Sequence, residues 1–232
     1  MAEGAAVLAQ RALAGGAAEP FRPWALIAAK RFGRAKARLS AALPPHERRA
    51  LASAMFERVL RASTHCAALC GTLVVTDGDD VAARARRRGA SVLRDRADAA
   101  LSEIVDAGFA ELRARGATHA LVLMADLPLM EAHDVTELLA RLRVHDIVLV
   151  PDATRRGTSA LGVRLAAPFQ SAFGHDDSFS RHLRRAAAAT ARRAVHYHPR
   201  VAFDVDTAED LARWRQTPAC DYGSTGSPSR TQ

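Results

Sequence analysis

The sequence predicts an α/β fold, a single three-layer domain built on a mostly parallel sheet, and three observations lead there. Short apolar runs such as TLVV, ALVLM and IVLV recur along the chain, separated by segments of helical period. Strands alternating with helices form βαβ units with right-handed crossovers. The run Ala120–Met124 is apolar at every position, as suits a strand covered on both faces. Hydrophobic residues make up 49% of the 232 residues, which allows one full core, and no run approaches the roughly 20 residues that span a bilayer.

In chain order, Pro23 introduces a first strand, Trp24–Ala29, which runs into the basic, glycine-containing loop KRFGRAKARLS. Pro44-Pro45 opens a helix at about His46, since proline fits a first turn, and Leu51, Met55 and Val59 give it one apolar face. Thr72–Val75 is the second strand, followed by the turn Asp77-Gly78, a short helix over Val81–Arg88 closed by Gly89, and a third strand at Ser91–Leu93. A longer helix runs from about Asp98 to Arg115, with Leu101, Val105, Phe109 and Leu112 on one face and Gly116 as its cap. The central strand follows, then a helix over Glu131–Arg141 and a strand over Ile147–Val150. After a polar loop come a strand near Ala160–Val163, an alanine- and arginine-rich helix, and short extended pieces at Val195–His198 and Val201–Phe203. Thr207–Trp214 is the last helix. The Ala-rich residues 1–22 read as a disordered extension, the domain spans 23–215, and residues 216–232, rich in Gly, Ser, Pro and Thr, read as a disordered tail.

The N-terminus lacks the charged start and strong apolar core of a signal peptide, which points to the cytoplasm. Cys66, Cys70 and Cys220 have no zinc spacing and need no disulfide in a reducing compartment. The net charge of +8 invites a nucleic-acid reading, but the basic clusters 84–88 and 181–193 lie on helices without interleaved aromatics. A polyanionic small substrate accounts for local positive charge more economically, and neither nucleic acid nor membrane is expected as a partner.

Four features carry candidate chemistry. Lys30, Arg31, Gly33, Lys36 and Arg38 crowd into the end of the first strand, where a basic loop could wrap a triphosphate; the Walker A pattern GxxxxGK[ST] is absent. Asp126 ends the central strand, where open parallel sheets place ligands, and by position alone it is either a turn residue or a metal ligand. Asp204 and Asp206, two apart in DVD, fall on one face of an extended segment, and two such carboxylates call for a cation, Mg²⁺ being the natural hard ion. Asp210 instead fits a capping box with Thr207. Gly157-Thr158-Ser159, Gly174, Ser178 and His182 offer close backbone approach and hydroxyls for an anion, with Ser178 and His182 on one helical face.

Taken in order, Lys30…Lys36-x-Arg38-Leu39-Ser40, Ala125-Asp126-Leu127-Pro128-Leu129, Gly157-Thr158-Ser159-Ala160-Leu161, Phe173-Gly174…Ser178-Phe179…His182 and Asp204-Val205-Asp206-Thr207…Asp210-Leu211 resemble the CofC/FbiD family over about residues 23–215. Members of that family are guanylyltransferases of coenzyme F(420) biosynthesis. The resemblance implies a Rossmann-like nucleotidyltransferase fold of the GT-A type. It also implies transfer of GMP from GTP to a three-carbon phospho-acid with release of pyrophosphate. 3-Phospho-D-glycerate is placed marginally ahead of phosphoenolpyruvate, then 2-phospho-L-lactate. By the same resemblance Asp126, Asp204 and Asp206 are the metal-binding acids, and Thr158, Gly174 and Ser178 contact the phospho-acid. From the chemistry of the transfer the expectation follows that these aspartates are catalytic through Mg²⁺ at the α-phosphate and the attacking oxygen, with Lys30, Lys36 and Arg38 steadying the nucleotide's leaving pyrophosphate. A downstream transferase would take up the labile product, and a homodimer is compatible with all of this. The sequence departs from the pattern at Leu101-Ser102, where relatives often carry Leu-Asn, and at His175-Asp176-Asp177, which lengthens the turn after Gly174. The alternatives are another GT-A-type nucleotidyltransferase or glycosyltransferase, which would use a sugar acceptor, and a non-enzymatic nucleic-acid binder, which would show salt-dependent binding to oligonucleotides and no turnover.

Overall fold

The computed structural model describes residues 20–96, 98–166, 169–189 and 191–217. The expected N-terminal extension and C-terminal tail, with Cys220, lie almost wholly outside the described residues. Seven strands form one sheet among the described residues: β1 (Pro23–Ala28), β2 (Gly71–Thr76), β3 (Ser91–Arg94), β4 (His119–Met124), β5 (Ile147–Pro151), β6 (Thr158–Arg164) and β7 (Arg193–Val195). Their order is β3-β2-β1-β4-β6-β5-β7. Six helices accompany them: α1 (Pro45–Thr64), α2 (Asp79–Arg87), α3 (Leu101–Ala114), α4 (Ala132–Leu142), α5 (Ser178–Ala188) and α6 (Ala208–Arg215).

The five inner strands, β1, β2, β4, β5 and β6, are buried on both faces, and their alternate residues enter separate cores. Ala25 and Ile27 of β1, with Leu121 and Leu123 of β4, pack against α1, α2 and α4 through Phe56, Val59, Val81 and Leu138. Leu26, Ala28, Ala120 and Val122 face α3 and α5, meeting Val105, Phe109 and Ala186. These are the three layers. Each fully buried Leu, Ile or Phe contributes roughly 1.5–3 kcal/mol, so the sheet is held chiefly by its two apolar faces. Gly108 lets α3 approach β1 closely, because a Cβ there would lie 2.6 Å from Leu26 Cδ1.

Helix ends follow the sequence signals. Gly89 and Gly116 have φ of +79° and +74°, and in each case the next amide bonds back to a helical carbonyl, Ala90 N to Ala85 O and Ala117 N to Leu112 O, both at 3.0 Å. The positive φ is what glycine accepts without strain. Thr207 Oγ1 accepts from Asp210 N at 3.2 Å and Asp210 Oδ2 accepts from Thr207 N at 2.9 Å, so Asp210 caps α6.

The sheet is mostly parallel, and β6 is its antiparallel member, running against both β4 and β5. The short connection over residues 152–157 explains this, since a parallel return needs a crossover of a dozen residues or more. The reversal brings the start of β6 to the edge where β1 and β4 end. The expected extended pieces after α5 are corrected. The seventh strand ends at Val195, although His196 N still donates to Leu149 O at 2.8 Å, and the segment around Val201–Phe203 is a turn, with Ala202 N donating to His198 O at 2.7 Å. Among the described residues no helix is long and apolar enough to cross a membrane.

Candidate active site

At the carboxyl edge of β1 and β4, three carboxylates converge. Asp126 stands in the turn after β4, and Asp204 and Asp206 stand on the segment entering α6. One oxygen from each lies within 4.8 Å of the others. Val205 between the latter two is fully buried with Leu39, Leu43 and Trp214, so that segment alternates although it joins no strand ladder. Burying Val205 turns both aspartates outward toward Asp126.

The basic loop supplies the counter-charge. Lys36 Nζ donates to Asp126 Oδ2 and to Asp206 Oδ1, both at 2.8 Å, and its side chain is only 7% exposed. Its backbone sits in the left-handed region, with φ 55° and ψ 42°, which a side-chain-bearing residue adopts at some strain. Burial opposes the Lys36 ammonium, but Asp126 and Asp206 outweigh it and raise its pKa well above the usual lysine value. Asp204 makes no such pair. Burial, then repulsion from Asp126 and Asp206, pushes its carboxyl up to about 7 against the attraction of Lys36. The cluster therefore holds more negative charge than Lys36 neutralises. An all-oxygen donor set with surplus charge fits a hard divalent cation such as Mg²⁺.

Arg38 reaches the same cluster from outside, its guanidinium 3.3 Å from Asp206 and 3.9 Å from Asp176. Lys30 Nζ donates to Ala99 O at 3.3 Å, tying the loop to the approach to α3. The loop's base is fastened by Arg31, whose backbone N and Nε donate to Asp77 at 3.0 and 2.9 Å. Asp77, read from sequence as a turn residue, lies at the end of β2 beside β1. Although burial works against its charged form, these Arg31 hydrogen bonds hold its carboxyl below the usual carboxylate value. Strand order could have found this pair, because adjacent parallel strands bring their end residues together.

Beside the carboxylates opens a cavity of about 390 Å³, within the range of small-ligand sites. Lys30, Lys36, Arg38, Asp126 and Asp206 line it together with an apolar wall that includes Phe32, Met55, Phe56, Leu101 and Met124. The wall was missed at sequence level. The helical spacing that marked Met55 as core did not show that the α1 face continues past the sheet edge into a cavity.

Two of the three predicted acceptor contacts form a second group, and Gly174 stands apart from them. Thr158 and Ser178 are buried and face each other, Ser178 Oγ lying 3.5 Å from Thr158 Oγ1. Gly174 has φ +87° and packs against Leu101, at the cavity wall. His182 organises the pair. Its Nε2 accepts from Ala172 N at 2.7 Å, so its proton sits on Nδ1, 2.9 Å from Thr158 Oγ1. Thr158 Oγ1 is thereby an acceptor from both His182 and Ser178, and its own hydroxyl hydrogen is engaged by neither. Burial between Phe169 and Phe173, with Arg185 adding repulsion, pushes His182 down to about 3, so the ring stays neutral.

Comparison with known proteins gives a consistent set. Residues 24–214 match the family model described as "Guanylyl transferase CofC like". The chain is 35% identical over 202 residues to the phosphoenolpyruvate guanylyltransferase of Conexibacter woesei, covering 86% of this chain and 90% of that one. It is 34% identical over 187 residues to the 3-phospho-D-glycerate guanylyltransferase of Phenylobacterium zucineum, covering 79% and 85%. Among solved structures it resembles a Desulfovibrio desulfuricans G20 protein provisionally assigned as a nucleotide-diphospho-sugar transferase. The TM-score there is 0.68 at 14% identity, over 85% of this chain and 91% of the other, a likeness of fold.

Proposed function

The chain belongs to the CofC-like guanylyl transferase family, and from that premise we propose that it transfers GMP from GTP to the phosphate of a three-carbon phospho-acid. Pyrophosphate is the other product. The observation that carries this reading is the convergence of Asp126, Asp204 and Asp206 beside a basic cavity at the carboxyl edge of the sheet. Phosphoenolpyruvate and 3-phospho-D-glycerate are the two acceptors proposed, since relatives of nearly equal identity carry one name each. The product is a mixed phosphoanhydride, which suits consumption by a transferase of coenzyme F(420) synthesis.

The three aspartates would hold Mg²⁺, which when bound supplies charge stabilisation at the phosphates. The acceptor phosphate is ionised at neutral pH, so no side chain has to remove a proton before attack. The chain's contribution is then alignment and electrostatics. Lys30, Lys36 and Arg38 line the cavity as cations for the leaving pyrophosphate. Thr158, its hydroxyl hydrogen left free by His182, donates to the acceptor while Ser178 donates to Thr158 Oγ1, and the Gly174 turn borders the cavity wall at Leu101.

Removing Asp126 tests this directly. Asp126→Ala should lose at least about 1,000-fold in Mg²⁺-dependent turnover, since charge stabilisation worth several kcal/mol is at stake. Its circular dichroism should stay that of the parent. Near-normal turnover by that variant would remove the carboxylate cluster from the mechanism. Pyrophosphate release from GTP with a sugar phosphate as acceptor, and not with either phospho-acid, would favour a sugar-phosphate nucleotidyltransferase.

A further inference from the structure

A second constellation lies away from the cavity, where α4 meets the segment leaving β7. His196 and His198 are two apart, and their rings lie on one side with centroids 5.6 Å apart, while Tyr197 between them is exposed under Arg155. Both imidazoles aim Nε2 at the carboxylate of Glu137 on α4: His196 Nε2 is 3.0 Å from Oε1 and His198 Nε2 is 3.4 Å from Oε2. His196 Nε2 is nonetheless buried with no hydrogen-bond partner, as is Nδ1 of His198. His196 Nε2 is thus close to a carboxylate oxygen without forming a hydrogen bond to it.

We propose that Glu137, His196 and His198 form a binding site for a zinc-type divalent transition metal, distinct from the aspartate cluster. Two neutral imidazoles and one carboxylate are borderline-soft donors of the kind Zn²⁺ takes, with water as a fourth ligand. With bonds of about 2.0–2.2 Å, a tetrahedral site spaces its ligand atoms about 3.3 Å apart; one ligand atom from each of the three residues lies within 4.8 Å of the others, and each imidazole stands beside its own carboxylate oxygen of Glu137, at 3.0 and 3.4 Å. His196 Nε2, buried beside the carboxylate with no hydrogen-bond partner, is left available to a metal. Mg²⁺, which seeks oxygen donors, does not suit it.

The location gives the site a role. Val122, Leu161, Leu149 and Val195 form one rung across β4, β6, β5 and β7. His196 thus lies at the level of Leu123, about 14 Å sideways from β4 at about 4.8 Å per strand. The chain runs directly from His198 through the turn at Ala202 to Asp204. A metal clamping His196 and His198 to α4 fixes the root of the segment that carries two of the three aspartates.

The neighbouring charges are defined. Asp134, fully buried, lies 3.2 Å from His198 Nε2 but is taken up by Arg200, His133 and the Glu131 amide. Arg141 Nη2 donates to Glu137 Oε1 at 3.0 Å and competes with a metal for that oxygen.

The test uses the full, tag-free chain, stripped with chelator and titrated with Zn²⁺ by calorimetry and with Co²⁺ by visible absorption, without nucleotide. The expected result is one ion per chain with the intense bands of tetrahedral Co²⁺, undisturbed by excess Mg²⁺, and unchanged in Asp126→Ala. His196→Ala and His198→Ala should weaken binding at least about 100-fold, the upper end of what losing even an outer-shell partner does. Glu137→Gln, at a side chain 43% exposed, gives the same readout with little risk to folding. Absence of saturable Zn²⁺ binding in the parent overturns the proposal, as does parent-like binding in these variants or loss of binding in Asp126→Ala.

Discussion

Asp204 makes the charge state of the aspartate cluster measurable without any assay of turnover. Its carboxyl is raised from 3.8 to about 7, chiefly by burial and then by Asp126 and Asp206. The folded protein therefore keeps a proton that the unfolded chain releases near pH 4. The stability tied to that proton is full below about pH 4 and is lost as the pH rises through about 7. Fully expressed, a displacement of that size corresponds to about 4 kcal/mol, and solvent screening of a half-buried group reduces it to about 1–2 kcal/mol. For a chain of this length, the melting temperature in chelator should fall by about 3–6 °C between pH 4.5 and 8 relative to Asp204→Asn, which cannot titrate. The difference between the two proteins cancels the groups outside the cluster and isolates Asp204 with its coupling to Asp126, Asp206 and Lys36. On the proposed metal reading, saturating Mg²⁺ should remove most of the fall by supplying the missing positive charge. Parallel melting curves for parent and Asp204→Asn across that range in chelator would refute the electrostatic account of the cluster.

Two further substitutions probe buried charges. Lys36→Met removes the cation between Asp126 and Asp206, and urea titration in chelator should show a loss of about 2 kcal/mol, less than for a fully buried pair because both aspartates touch solvent; Mg²⁺ should restore most of it on the proposed reading. Arg200→Met leaves Asp134, which has no exposed surface, without its guanidinium, and the same titration should report a loss of about 3 kcal/mol.

Much of the fold was legible because the strands and helices carry their periodicity in contiguous residues. Leu51, Met55 and Val59 announce α1, and Gly89 and Gly116 stop their helices where positive φ is required. Strand direction was less accessible. ALG in β6 reads as a buried strand in either sense, and only the length of the connection after Pro151 selects the antiparallel one. The turn around Val201–Phe203 escaped notice because its apolar residues are buried for a different reason: Val201 joins the core under α1, α2 and α4, and Phe203 packs with α6. An apolar run marks burial, and burial is not confined to strands.

The site was legible as residue types at element ends, whereas the pairing among them depended on side-chain direction. Asp126, Asp204 and Asp206 could be grouped because acids at the edge of a parallel sheet converge whatever their exact backbone. Lys36 could not be placed the same way. Sequence reasoning sends it toward a triphosphate, yet its left-handed backbone turns Nζ between two carboxylates at 2.8 Å. The two placements are linked by charge. While the aspartates have no other cation they hold the ammonium, and on the proposed reading a divalent ion at the same oxygens would release it into the adjoining cavity, where the phosphates of the nucleotide would take it up. The flexible four-carbon stem of lysine allows that exchange by side-chain rotation alone, and the αL backbone of Lys36 sets the stem between the carboxylates and the cavity it lines.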